Sequence, residues 1–425
     1  MKVGIFATIS LLAIIVFCSC SSSKKNVITS MSATQNELVK IMEQFPQYFD
    51  SVVKRKDELK VQIIYSQIDR KKDGAASFTD YYFNINNSNY YYPASTVKLP
   101  VAILALQKLN ELKIAGLDKN TTMITEAEGD VQTAVVADST AADNQPTIAH
   151  YIKKILLVSD NDAFNRLYEF LGQEYINNTL HEMGYEDIQI IHRLDISLSE
   201  ENNRHTNPVK FYDRSGKLVY KKSSERSQLI YAQRNTKIGN GYMRGGNLVN
   251  EPLDFSKKNR FPLPYLHNIV RSILFPETVS PKQRFNLTDE DYQFLRRYMS
   301  MFATESKSPV YDTANYSDTY VKFLFYGAEK NTAQPAVRSF NKPGDAYGFM
   351  IDGAYIADFK NNIEFVLSAV IYCNSDGILN DDTYDYQTLG LPFMKHLGRV
   401  IYEHELKRKR TIVPDLSTFQ FNYSN

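Results

Sequence analysis

The segment YYPASTVKLPVAILALQKLNELK, residues 91–113, decides how this chain is read. Tyr, Pro and Ala lead into a long apolar run with helical spacing. At the junction stand Ser95 and Lys98, three residues apart. Positions i and i+3 share a helix face. A serine in a first turn lies near the positive end of the helix dipole and near backbone N–H groups that lack intrahelical partners. A lysine one turn later, among apolar neighbours, has its neutral form favoured and can take the serine proton. The spacing alone is a weak signal, because it also fits Ser21/Lys24, Ser22/Lys25, Ser51/Lys54 and Ser339/Lys342. Most such matches are surface helix starts. Ser95 differs in having a strand before it and a very apolar helix after it. Pro100 fits poorly, since it removes a hydrogen bond near the first turns.

Outward from this junction, residues 33–49 have the apolar spacing of a helix. Residues 60–69 and 77–92 read as strands around the turn-like RKKDGAA. Residues 121–175 read as mostly helical. Two apolar strands follow late, at about 346–359 and 363–372, and an amphipathic helix at about 384–408 ends in basic residues suited to the helix dipole. Strands open the chain, helices fill the middle, and strands plus a helix close it. That order predicts an α+β fold, an α/β sandwich whose antiparallel sheet joins the first and last strands, flanked by helices, with an all-helical lobe between. Residues 205–285, with a hairpin pattern, the Gly/Asn-rich KIGNGYMRGGNLVNEPL and Pro-rich connections, read as an insertion, a lid or a small subdomain. No internal repeat is evident.

Two more constellations bear on chemistry. LLVSDNDAFN holds Ser159, Asp160 and Asn161, the one S-D-N in the chain. All three residue types favour helix N-caps, which is the plainer reading. A hydroxyl there can also relay a proton, and an amide can hold a substrate amide. Lys342-Pro343-Gly344 stands at the lip of a late strand, where a fixed ammonium would attract a carboxylate. Lys237-Ile238-Gly239 is a rival match; Lys342 is preferred because strand, turn, strand and terminal helix follow it.

Taken in order, Ser95-x-x-Lys98, Ser159-Asp160-Asn161 and Lys342-x-Gly344 resemble the class A β-lactamases and the related penicillin-binding serine hydrolases. The resemblance runs over about 40–204 and 286–408. It implies an α/β sandwich domain packed on an all-helical one, an acyl-enzyme mechanism on an amide, and no metal or cofactor. By the same resemblance Ser95 is the nucleophile and Lys98 its general base or a partner of that base. Ser159 relays a proton to the leaving nitrogen, Asn161 binds a substrate amide and Lys342 binds a carboxylate. Gly344 completes the motif, and the N–H groups of Ser95 and Asp345 form the oxyanion hole. Two departures stand out. After Arg193-Leu194-Asp195, the position at which class A enzymes carry a deacylating glutamate is Leu198, with Glu200 and Glu201 just downstream. Pro343 replaces the family's Thr or Ser. These departures keep alternatives open: a penicillin-binding or D,D-peptidase-like enzyme, another amidase or esterase, or a binding module without turnover. A lipoprotein scaffold with accidental motifs is the remaining reading.

The rest of the sequence sets bounds. The chain has 425 residues and a net charge of +1, which gives no sign of a nucleic-acid partner. The expected substrate is a small molecule or a peptide, and the expected state a monomer. Residues 1–20, MKVGIFATISLLAIIVFCSC, have a lysine, a short apolar run and then small residues and cysteines. This resembles a bacterial lipoprotein signal with Cys20 lipidated, Cys18 as its rival and a plain cleaved signal as the alternative. It implies an exported protein held to the membrane by a lipid, facing the periplasm or cell surface. Residues 21–33 read as a tether, 34–410 as the hydrolase domain and 411–425 as a tail. Cys373, in a strand-like run, reads as a small core residue, and no His/Cys spacing suggests zinc.

Overall fold

The computed structural model describes Met1 and residues 36–128 and 133–423. The signal after Met1, including Cys20, and the tether 21–33 lie outside the described residues.

The chain opens with two helices, α1 (Glu37–Glu43) and α2 (Pro46–Lys54), then a hairpin, β1 (Gln62–Arg70) and β2 (Ala76–Phe83). The helical part holds α3 (Lys98–Leu112), α4 (Ile148–Val158), α5 (Asn161–Leu171), α6 (Gln173–Glu182) and the short α7 (Glu200–Arg204), with β3 (Thr122–Thr125) between α3 and α4. Short strands follow: β4 (Val209–Tyr212), β5 (Leu218–Lys222), β6 (Lys237–Ile238), β7 (Gly241–Arg244), β8 (Asn247–Val249) and β9 (Leu253–Asp254). Next come α8 (Leu263–Leu274) and α9 (Asp289–Ser300). The chain closes with β10 (Val337–Asn341), β11 (Gly344–Ala346), β12 (Phe349–Asp358), β13 (Ile363–Tyr372), β14 (Ile378–Leu379) and α10 (Leu391–Lys407).

The main sheet has the order β10-β12-β13-β1-β2, with β11 also paired to β12, and all its pairings are antiparallel. First and last strands meet where Tyr65 faces Leu367. Side chains alternate across a strand, so neighbours enter different cores. Ile63 and Tyr65 join Phe365 and Leu367 in a core with α1, α2 and α10. Ile64 and Ile68 join Val366 and Val370 in the core shared with α8 and the helical lobe. Both faces are therefore covered, which is why β12 and β13 are apolar on both sides over most of their length. This is the expected α+β sandwich with its helical lobe.

The boundaries differ from the sequence reading in places that matter. The helix after Ser95 begins at Lys98, and residues 94–97 form a 3-10 turn ahead of it. Pro100 is thus the third residue of α3, where a backbone N–H has no intrahelical partner to lose. The expected strand 77–92 ends at Phe83. The stretch 121–175, expected mostly helical, starts with β3, which pairs with β4 of the later hairpin. A short alternating run is masked by polar neighbours, so its partner is visible only in three dimensions. Within 205–285, α8 packs on β12 and β13 as part of the main sandwich. In the segment designated a tail, Leu416 and Phe419 are buried in the core.

Candidate active site

Three separate parts of the chain place five polar side chains around one point. The 3-10 turn and α3 supply Ser95 and Lys98. The α4–α5 junction supplies Ser159 and Asn161. The break between β10 and β11 supplies Lys342 and Gly344. Lys98 is fully buried by the apolar length of α3. Its Nζ donates to Ser159 O, to Asn161 Oδ1 at 2.6 Å and to Ser159 Oγ at 3.2 Å. Lys342, also fully buried, donates to the same Ser159 Oγ at 2.8 Å and to Pro343 O at 2.8 Å. Ser159 therefore lies between two amines from opposite sides of the molecule. It holds this place as the left-handed C-cap of α4, with φ 61°. Asp160 then caps α5, accepting from Ala163 N at 2.7 Å, and also pairs with Lys154 at 3.5 Å.

Ser95 is partly exposed and lines the cleft. The residue before it, Ala94, has φ 47°, a left-handed backbone that few non-glycine residues adopt. None of the Lys98 hydrogen bonds among the described residues runs to Ser95 Oγ. In a ligand-free site such contacts are often looser than in the reacting complex. Gly344 brings β11 against the serine backbone: a Cβ there would lie 2.6 Å from Ser95 N and 2.9 Å from Thr96 N. Only a residue without a side chain permits that approach. Asp345 follows on the cleft wall.

The electrostatics follow from burial. Desolvation holds the Lys98 amine well below the ordinary lysine value, and the nearby Lys342 charge pushes the same way; Asp160, Asp345 and Asp195 pull against them. Burial pushes Lys342 down to about 7, opposed by Asp352 and Asp345. The Asp345 carboxyl reaches solvent on its open side, yet the protein around it raises its pKa against the pull of Lys342 and Lys98.

Beneath Lys342 lies a network that sequence reasoning missed. Lys322, fully buried, donates to Met299 O at 2.6 Å, Ser339 O at 2.9 Å and Asn341 Oδ1 at 2.9 Å. Asn341 Nδ2 reaches both Asp352 oxygens at 3.0 Å. Burial pushes Lys322 down to about 7 and Asp352 up to about 6. Lys322 stands in the otherwise apolar YVKFLF, a context that does not by itself tell a buried amine from a surface one. These shifts carry a stability consequence. Between about pH 7 and the unfolded lysine value the unfolded chain binds more protons than the folded one, so stability rises with pH there. Asp352 acts oppositely, over about pH 4 to 6. Urea unfolding is expected to show a midpoint climbing from pH 7 to 9, with Lys322→Met reducing the climb by about a third, because the depressed Lys98 and Lys342 amines remain. A flat profile would contradict the burial of these amines.

The loop after α6 is strapped to α5. Arg193 pairs with Glu169 at 2.7 Å and donates to His205 O at 2.6 Å, and Asn165 exchanges bonds of 2.9 and 3.0 Å with the Leu194 backbone. This presents Asp195 to the cleft. Glu200 and Glu201 do not join it. Glu200 pairs with Lys257 and Arg204, and Glu201 with Arg226 and His205. Neither lines the cleft beside Ser95. Leu198 is half-buried. The rival Lys237 stands in β6 and lines neither arm of the cleft.

The cleft itself has two arms that meet at Ser95, Asn161, Asp345, Tyr386 and Gln387. One, of about 680 Å³, runs along Tyr92, Asp195, Tyr347, Asp382 and Tyr384. The other, of about 630 Å³, runs along Ser159, Asn315, Tyr320, Lys330 and Pro343. The tyrosines come from four distant parts of the sequence, and no local pattern marked them. Cys373 is buried just past β13, its thiol pushed up by desolvation. Among the described residues no group of three or more His, Cys, Asp or Glu is placed to hold a metal, and no helix is long and apolar enough to cross a membrane.

Comparison with known proteins finds a family match over less than half of the chain. Residues 44–227 match the model of the beta-lactamase enzyme family. No curated protein matches. Similar solved structures include the beta-lactamase from Sphaerobacter thermophilus DSM 20745, at 12% identity over 84% of this chain and 97% of that one, TM-score 0.42. The beta-lactamase from Burkholderia phymatum is 14% identical over 86% and 98%, TM-score 0.45. That from Streptomyces albus G is 13% identical over 83% and 97%, TM-score 0.44.

Proposed function

We propose that this chain, β-lactamase-like over the matched residues 44–227, is a serine hydrolase that forms an acyl-enzyme on Ser95 and hydrolyses an amide such as a β-lactam. The observation that carries the reading is the convergence of Lys98 and Lys342 on Ser159 Oγ beside Ser95. A neutral Lys98 gives its two N–H groups to Ser159 O and Asn161 Oδ1 and keeps a lone pair for the Ser95 proton. The Ser95 Oγ–carbonyl bond forms as that proton moves to Lys98. The carbonyl oxygen takes the negative charge, held by the N–H groups of Ser95 and Asp345. When the C–N bond breaks, the leaving nitrogen takes the Ser159 proton. Ser159 can give it because Lys98, once it carries the Ser95 proton, joins Lys342 in donating into its oxygen, leaving its own O–H free to point elsewhere, and Lys98 returns that proton to Ser159. Water then attacks the ester carbonyl, giving a proton to Lys98, neutral again; the C–Oγ bond breaks, the acid leaves and Ser95 Oγ takes that proton. Asn161 orients a substrate amide, and Lys342 supplies positive potential for a carboxylate.

A second reading, a penicillin-binding or D,D-peptidase-like enzyme or a slow-release binder of cell-wall peptide, is favoured by the engagement of Glu200 and Glu201 in ion pairs away from the cleft. It is favoured also by a two-armed cleft with room for chain on both sides of Ser95. With Cys20 lipidated, the protein would be exported and anchored to a membrane, acting on its substrate as a monomer.

A fluorescent penicillin added to the purified protein and to Ser95→Ala tests the proposal. Label on the wild type alone is the expected result, and equal labelling of both would refute it. Slow loss of the label points to the second reading, whereas fast turnover of a chromogenic cephalosporin points to the first.

A further inference from the structure

We infer that the β7–β8 hairpin is a specificity-determining element, bracing from behind the loop that walls one arm of the cleft. The inference rests on the proposed Ser95 chemistry. Residues 374–385 link β13 to the turn before α10, and Asn380, Asp382 and Tyr384 from this loop line the larger arm. The loop's own supports are local: Ser375 N donates to Asp385 Oδ2 at 2.8 Å, Ile378 N to Asp376 Oδ1 at 2.8 Å and Thr383 N to Asp381 Oδ1 at 3.0 Å. Asn380 and Asp382 are both left-handed, with φ 59°, and its only strand is β14. That strand pairs with β7, Ile378 with Gly241 and Leu379 with Tyr242, in parallel register. Asn240 N adds a hydrogen bond of 2.7 Å to Gly377 O. The contact is close: a Cβ on Gly239 would lie 2.8 Å from Gly377 O and 3.2 Å from the Leu379 side chain. On the cleft side, the Tyr384 hydroxyl accepts from Asn380 N at 2.9 Å, and its ring packs on Tyr386 at 5.2 Å. The hairpin residues themselves do not line the cleft. They set the position of residues that do, and so the width available to whatever substituent enters this arm. Displacing the brace changes which substrates fit, because a wall displaced by about 1 Å changes positioning strongly, while Ser95, Lys98 and Ser159 stay where α3 and α4 put them.

The test compares two probes on the wild type, on Gly239→Val and on a variant with residues 241–249 replaced by an Asn-Gly turn. One probe is the bare penicillin nucleus, 6-aminopenicillanic acid, and the other a penicillin with a bulky fluorescent side chain. Either variant is expected to change the ratio of the two acylation rates by at least about tenfold, with amide exchange rising in 378–385 and unchanged in β12 and β13. Equal changes for both probes, an unchanged ratio, or unchanged exchange in 378–385 would overturn the inference. A wild type that neither probe labels would instead remove the Ser95 reading on which it rests.

Discussion

Lys98→Ala is expected to lower the rate of Ser95 acylation by about a thousandfold, with the protein still folded. The amine opens α3 directly after the serine's 3-10 turn and is fully buried, and burial keeps it below the ordinary lysine range. Removing it takes away the acceptor for the serine proton. It also strips the Lys98 donor from Asn161 Oδ1 and Ser159 O, while Ser159 Oγ keeps Lys342, which costs stability on the order of 1–3 kcal/mol per unpaired group. Lys98→Met, closer in volume, separates these effects: it keeps the core of α3 filled and still removes the base. Stopped-flow labelling of the folded variants, with circular dichroism to verify the fold, measures both. A folded Lys98→Met that acylates at the wild-type rate would take the base role from Lys98.

Gly344→Val is expected to cost at least about a hundredfold in acylation with a much smaller loss of stability. Its Cβ would lie 2.6 Å from Ser95 N, 2.9 Å from Thr96 N and 3.1 Å from Pro93 O, all backbone atoms that cannot rotate aside. The strand or the 3-10 turn must move, and either motion displaces the nucleophile relative to the oxyanion donors. Gly344→Ala should fall between the two. Acylation kinetics beside thermal melting distinguish the outcomes. Equal loss of stability and rate would mean that the glycine serves the fold alone.

What could be read from the sequence, and what could not, divides along one physical line. Ser95-x-x-Lys98, Ser159-Asp160-Asn161 and Lys342-x-Gly344 are short local patterns, and each works through geometry that a turn or helix start fixes within four residues. The pairing of the first strands with the last was legible as an expectation from the order of elements, because strand groups on either side of a helical stretch can share one antiparallel sheet, as Tyr65 facing Leu367 shows. Lys322 was not legible as part of the site. Its partners are Met299, Ser339 and Asn341, and nothing local in YVKFLF distinguishes a lysine buried on backbone carbonyls from one on a surface. The cleft wall was hidden for the same reason, since Tyr92, Tyr347, Tyr384 and Tyr386 share a surface only after folding. For Glu200 and Glu201 the sequence left open whether either could serve the cleft, because their direction depends on the loop's packing. The short α7 turns both carboxylates toward Lys257 and Arg226.

The central claim is that the hydroxyl at position 95 is the group that attacks the carbonyl. Intact-protein mass spectrometry after incubation with benzylpenicillin, followed by peptide mapping, addresses it directly. One penicilloyl adduct on the peptide containing Ser95, absent from Ser95→Ala, is the predicted result. An adduct retained in Ser95→Ala, or mapped to another residue, would contradict it.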